Sequence, residues 1–450
     1  MSTPQRPALA DLGSPAVLPN PYPVLAGLRE ASPFADFGGA LVVAGRHEDC
    51  SRILRDPRAS SDRSRSVIRA ARAAKSSAEG SGGGPGLAEP GEPGEPGEPG
   101  EPGMARVRSF LSLDPPDHTR LRRLVSRAFT PRVVARLEPR IRDLTDDLLA
   151  GASGGAAASG GAGGELEVVS GLAYPLPVRI ISELLGVPAQ DHALFAGWSA
   201  ALAHALQPPL GMPSEAVKAR RMASQDARIE FDHYFRDLIA RRRAQPADDL
   251  LSQLVIAEDE GDRLTEDELI ATCVLLLVAG HETTVSLISN AVLALLRHPD
   301  QLALLRTQPD LAAAAVEETL RYDAPVQLTS RIARGGMQVG PVSAPDGAIV
   351  VLLLAAAGRD PAAFPDPDQF DIRRNATVGH LAFAAGAHFC LGAPLARLEA
   401  TVALQAFAAR VTEPELDEDA LVYRPNLNLR GPQRLVVRHA GIRPADSARR

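Results

Sequence analysis

The sequence predicts a mainly α-helical protein with small β-sheets, and three observations predict it. From residue 118 onward, apolar residues recur at helical spacing through most of the chain. The longest such pattern, residues 265–297, opens with Thr265-x-x-Glu268, a capping-box signature. Strand signals are confined to short runs bounded by turn residues, as in PFADF-GG-ALVVAG and in residues 337–354.

Taken in order, the proline-rich start predicts a loose wrap and lacks the apolar stretch of a signal peptide. PFADF-GG-ALVVAG predicts a hairpin turning at Gly38-Gly39, and residues 47–54 a helix. Residues 74–103 hold KSSAEGSGGGPG and five copies of Glu-Pro-Gly. Their period is that of collagen, but so short a run cannot sustain a triple helix, so a solvated insertion is expected. Residues 151–164, GASGGAAASGGAGG, read as a second spacer. Leu121, Leu124, Val125 and Ala128 give residues 118–129 one apolar helical face, and Pro131 begins the next element. Helices are expected at 175–185, 216–243, 311–322 and 391–411; turns at Gly340 and Asp346-Gly347 divide the strand-like stretch 337–354. The expected organisation is one domain over residues 1–450 with two low-complexity insertions.

At 45% hydrophobic residues over 450 positions, the chain can bury a large core and enclose a cofactor. A net charge of -7 argues against a general nucleic-acid binder. Cys50, Cys273 and Cys390 are few and far apart, which fits a reducing cytoplasm rather than a disulfide framework. The longest apolar run, 269–280, is short for a bilayer span and continues into charged residues, so no membrane anchor is expected.

The most informative segment is HLAFAAGAHFCLGAPLARLE, residues 380–399. Cys390 sits in a glycine-containing loop directly before a helix. Gly386 and Gly392 permit a sharp turn and close approach to a flat partner, and Pro394 suits the first helical turn. Unpaired N–H groups at the helix start should lower the thiol pKa, making Cys390 a nucleophile or a metal ligand. A buried, inert cysteine is the alternative. Phe383, Gly386, His388, Cys390, Gly392, Ala396 and Arg397 together spell F-x-x-G-x-H-x-C-x-G followed by LAR and Glu, which resembles the haem-binding loop of the cytochromes P-450. The resemblance implies that Cys390 is the iron ligand, that Phe383 packs near its sulfur and that His388 bonds a haem propionate. Ala384 departs from the glycine frequent at that position.

Residues 269–295 form an apolar pattern interrupted by Gly280, His281, Glu282, Thr283 and Thr284. A glycine inside a helix costs about 1 kcal/mol relative to alanine, and a buried carboxylate costs more unless partnered. Such expense in a core helix points to function; a hydrated local distortion is the alternative. AGHETT resembles the oxygen-binding segment of the same family. The resemblance implies a groove at Ala279 and Gly280, with Thr283 and Glu282 as the catalytic proton carriers and His281 structural.

Other positions join the resemblance. Glu318-x-x-Arg321 resembles the family's structural ion pair; Gln369 stands where an arginine is frequent, and Arg373 or Arg374 is expected to take that part. DPPDHTRLRRLVSRAFTP resembles the helix that grips the propionates, through His118 and Arg122, and Arg331 in LTSRIA matches a further propionate-binding position. Arg120, Arg123 and Arg127 form a basic patch suited to an acidic ferredoxin-type donor. SELLGVPAQD and AAAGRDPAAFPDPDQFD also match, with Gly358 in place of the usual asparagine.

The resemblance therefore implies the cytochrome P-450 fold, haem b, O2, a small apolar substrate and electrons from a ferredoxin with its reductase. The implied reaction inserts one oxygen atom into a C–H or C=C bond. Rival readings are a haem carrier without turnover, a linker-dominated interaction protein, and the same fold performing peroxygenase, desaturation or oxidative-coupling chemistry.

Overall fold

The computed structural model describes residues 7–68, 70, 109–157, 163–205, 214–259 and 262–445. The Glu-Pro-Gly tract lies outside the described residues. The protein is 57% helical with small sheets, as the apolar periodicity predicts.

Helix Glu266–Arg297 is the axis of the fold. Thr265 caps it, accepting from Glu268 N while the Glu268 carboxylate accepts from Thr265 N. Every residue from Thr284 to Leu295 is buried, including Ser286, Ser289 and Asn290, as expected of a helix at the centre of the core. It packs against helices Ala393–Arg410, Pro175–Leu184, Ala312–Tyr322 and Ser214–Ala244. By length and composition it could cross a membrane, yet 61% of its most apolar window is buried inside the protein.

The largest sheet has five strands, in the order Phe34–Asp36, Leu41–Ala44, Ile349–Leu352, Thr329–Ala333, Ala59–Ser60. The expected hairpin is there, turning through Phe37–Gly39. Strand Ile349–Leu352 runs parallel to Leu41–Ala44 and antiparallel to Thr329–Ala333, pairing Val350 with Arg331. A second hairpin, Val422–Tyr423 with Pro432–Arg434, holds the turn 424–431 against the long helix.

The second spacer is corrected in part. Residues 151–157 continue helix Glu138–Ala157, and Gly164 opens strand Gly164–Glu167. Alanine is the strongest helix former, and extending a helix already anchored by buried Ile141, Leu144 and Leu149 adds one hydrogen bond per residue. Residues 158–162 lie outside the described set.

Candidate active site

Cys390 follows a single helical turn, Gly386–His388, and precedes helix Ala393–Arg410. Its N–H donates to Phe383 O at 3.0 Å, which closes the loop. The N–H groups of Gly392 and Ala393 face the sulfur, as the helix start predicts. The predicted net lowering of the thiol pKa does not hold for the metal-free chain. Burial is the larger effect and pushes the thiol up, against those N–H groups and the positive charges of Arg122 and Arg397. A bound metal ion would reverse this, because coordination removes the thiol proton.

The two glycines serve differently. Gly386 has φ +71°, and a Cβ there would lie 2.4 Å from Leu54 O, so the loop seats directly on the end of helix His47–Arg55. Gly392 has an ordinary φ of -80°. Ala384 has φ +56°, a left-handed conformation that costs a residue with a Cβ about 1–2 kcal/mol.

One carboxylate clamps the loop from both sides. Arg397 Nε and Nη2 donate to Glu317 at 2.7 and 3.0 Å, and His380 Nε2 lies 3.3 Å from the same group. The Phe383 ring stacks under Arg397, 4.7 Å from its guanidinium carbon. Burial alone would raise the Glu317 pKa, but the hydrogen bonds from His380 and Arg397 bring it to about 2. Sequence reasoning missed Glu317. Its partners lie 63 and 80 residues away, and only its place beside Glu318 could have drawn attention to it.

Beside the loop, four predicted residues from three separate segments converge. His118, on helix Asp117–Ala128, is 2% exposed, and neither of its ring nitrogens has a partner among the described residues. Its ring centroid is 4.1 Å from that of His388. Arg122, one turn on, donates to Phe389 O at 2.5 Å. Arg331, buried in its strand, donates to Thr329 Oγ1 and Ser330 O. Burial, with Arg63 nearby, takes Arg331 down to about 10 despite Asp114. Burial and the surrounding His118, Arg331 and Arg122 take His388 down to about 3, opposed by Asp114. Burying the Arg331 cation, and His118 with neither nitrogen partnered among the described residues, is costly unless anions join them. Two carboxylates, as a haem presents, fit these donors. Among the described residues no cluster of three or more His, Cys, Asp or Glu could hold a metal ion.

On the long helix, Thr283 Oγ1 donates to Ala279 O and Thr284 Oγ1 to Gly280 O, both at 2.8 Å. These bonds fold each hydroxyl back onto the preceding turn of the helix. The carboxylate partners of Glu282 are Arg424 and His281, the latter with Nε2 at 3.4 Å, rather than the Thr283 hydroxyl. Burial opposes ionisation, but His281 and Arg424 outweigh it and bring Glu282 to about 2.

The family model for cytochrome P450 matches residues 93–410. The chain belongs to the cytochrome P450 family. It is 40% identical over 437 residues to the vitamin D(3) 25-hydroxylase of Pseudonocardia autotrophica, covering 95% of this chain and 96% of that one. It is 43% identical over 331 residues to the 6-deoxyerythronolide B hydroxylase of Saccharopolyspora erythraea, covering 73% and 77%. Among solved structures, the ligand-free CYP164A2 of Mycobacterium smegmatis superposes with a TM-score of 0.80 at 45% identity, covering 95% of this chain and 98% of that one.

As a P450, the protein is a haem-thiolate monooxygenase that uses haem iron, O2 and redox partners on a small molecule. The remaining expectations for its structural network divide. Glu318 and Arg321 form a buried pair at 2.7 and 2.8 Å. Arg321 spends its other donors on the carbonyls of Gly358, Pro367 and Gln369. Arg374 completes the network, its Nε 3.1 Å from both Glu318 oxygens, whereas Arg373 points outward to Gln308. Gly358 lets this network close, because a Cβ there would lie 2.3 Å from Arg321 O.

The basic patch is smaller than the sequence suggests. Arg120 is committed to Glu268 and Asp262, tying its helix to the capping box of the long helix. Arg123 is exposed, and the Arg127 side chain lies outside the described residues.

Proposed function

We propose that this P450 inserts one oxygen atom from O2 into a C–H or C=C bond of a small apolar molecule of the secondary-metabolite class. Its two electrons would come from a ferredoxin-type donor in the cytoplasm. Relatives named for hydroxylating 6-deoxyerythronolide B and vitamin D(3) support this substrate class. The chain is read as one catalytic domain over residues 1–450, with the low-complexity tract 74–103 as an insertion.

The observation that carries the reading is the placement of Cys390, at a helix start, near the buried His118 imidazole, whose nitrogens lack a partner among the described residues. Cys390 would hold the iron of haem b. His118, Arg122, Arg331 and His388 would anchor its carboxylates, and Phe383 and Gly386 would shape the loop beneath it. Bound there, the haem supplies the redox chemistry, and thiolate ligation favours O–O cleavage. Ala279 and Gly280 leave room beside the long helix, Thr283 Oγ1 holds and passes a proton, and Glu282 supplies it. Helix Glu266–Arg297 and its neighbours exclude bulk water.

The test is the absorption spectrum of the reduced, carbon monoxide-bound protein, together with Cys390→Ser. Thiolate ligation predicts the long-wavelength band of a sulfur-ligated haem in the parent and its loss in the variant. A band typical of histidine ligation in the parent would sink the reading. Product carrying one atom of labelled O2 tests the reaction itself.

A further inference from the structure

The clamp on the cysteine loop carries a charge pattern of its own. Glu317 belongs to helix Ala312–Tyr322, which packs on helix Ala393–Arg410. The residues it grips, His380 and Arg397, flank Cys390 on either side in the chain. His380 Nδ1 accepts the N–H of Ala382 at 3.2 Å, so its proton sits on Nε2 and turns to Glu317. That tautomer leaves the imidazole neutral. Arg397 meets the carboxylate through both Nε and Nη2, a two-pronged contact that fixes the plane of a guanidinium.

The clamp therefore holds one positive and one negative charge and has no net charge. Arg397 acts on the Cys390 sulfur and favours its anion. Phe383, whose ring lies under Arg397, also offers the carbonyl that accepts the Cys390 N–H. A neutral side chain packed over Phe383 would close the loop as well. A charged pair in that place adds an electrostatic field at the sulfur, where burial weakens screening. The side chains of Arg397 and Glu317 are 36% and 45% exposed, so solvent tempers the field without abolishing it.

We propose that Glu317 and Arg397 act together as positioning residues for the iron ligand: Arg397 supplies a positive charge that restrains electron donation by the Cys390 thiolate, and Glu317 aims that charge and limits it. The proposal rests on the reading of Cys390 as the ligand of haem iron. Reduced iron carries one electron more than oxidised iron, so a positive charge nearby favours reduction and a negative charge opposes it. With both present, the two effects largely cancel. Removing one charge at a time must shift the reduction equilibrium in opposite directions.

The experiment titrates substrate-free holoenzyme with reductant and mediator dyes in low-salt buffer, reading reduced haem by absorbance. Glu317→Gln keeps the shape of the side chain and an acceptor for Arg397 but drops the charge. At a fixed solution potential it should raise the ratio of reduced to oxidised haem roughly 3- to 10-fold over the parent. Arg397→Gln should lower the ratio by a similar factor, and the double variant should return to within about 2-fold of the parent. Arg397→Lys keeps the charge and should shift the ratio less than Arg397→Gln. The iron–sulfur stretch, read by resonance Raman, should fall in Glu317→Gln and rise in Arg397→Gln. A loop merely loosened would move both single variants the same way and leave the double variant unrepaired, which would overturn the proposal; so would a parent-like ratio in Glu317→Gln. Should Arg397→Gln fail to hold haem, Glu317→Gln decides alone through its ratio and its stretch. Absence of the long-wavelength carbon monoxide band in the parent would instead overturn the underlying reading of Cys390.

Discussion

The imidazoles of His118 and His388, 270 residues apart in the chain, lie 4.1 Å apart, and among the described residues His118 has no hydrogen-bond partner at either nitrogen. Such an arrangement is unfavourable in the empty chain and favourable once an anion arrives. His118→Phe should therefore have opposite effects in the two forms. The haem-free protein should be unchanged or slightly more stable. The holoprotein should lose one hydrogen bond to a charged group, about 1.5–3 kcal/mol, seen as a roughly 10- to 100-fold faster loss of haem to an acceptor protein.

The Glu318 network distinguishes two adjacent arginines. Arg321→Met leaves a buried carboxylate short of its partner and should cost about 3–5 kcal/mol. Arg374→Ala removes contacts to both Glu318 oxygens and should cost about 1.5–3 kcal/mol. Arg373→Ala, at the surface, should stay within about 0.5 kcal/mol. Denaturant titration of the three variants checks the order.

Ala384 offers a stabilising change. At φ +56°, Ala384→Gly relieves left-handed strain of about 1–2 kcal/mol and returns about 0.5–1 kcal/mol to backbone entropy. The expected gain is up to about 1 kcal/mol, read as a higher melting temperature and slower haem loss. A lower melting temperature would show that the loop does not hold this conformation.

Glu317 makes stability depend on acidity. Its carboxyl, ordinarily near 4.5, is held at about 2 in the folded chain. A depressed carboxyl pKa contributes stability that is complete above pH 4.5 and is lost as pH falls toward 2. The side chain is nearly half exposed, so solvent screens the effect. Glu317→Gln should flatten the decline of the denaturation midpoint over that acid range, leaving a smaller slope than in the parent protein.

Arg123 and Arg120 should separate docking from structure. Arg123→Glu is expected to slow reduction by an acidic ferredoxin and to weaken its salt dependence, with haem content intact. Arg120→Glu should lower stability, because it sets like charges against Glu268 and Asp262. Equal reduction rates in the parent and Arg123→Glu would place the donor elsewhere.

The local signals in the sequence were sufficient for the helices near 47–54, 118–129, 175–185, 216–243, 265–297, 311–322 and 391–411 and for the hairpin at Gly38-Gly39, while the family resemblance singled out Cys390, His118, Arg122, Arg331 and His388. Capping boxes, apolar periodicity and the cysteine loop are written in short stretches, because helix starts and tight turns are governed by neighbours in the chain. Tertiary structure decided what depends on distant partners: Arg374 rather than Arg373 for Glu318, Arg424 and His281 for Glu282, Glu317 for Arg397, and Arg120 withdrawn from the basic patch. It also reversed the expected direction for the Cys390 thiol. A helix start acts on its own loop, but desolvation is set by everything that packs around the sulfur, and that burial exists only when the whole chain has folded.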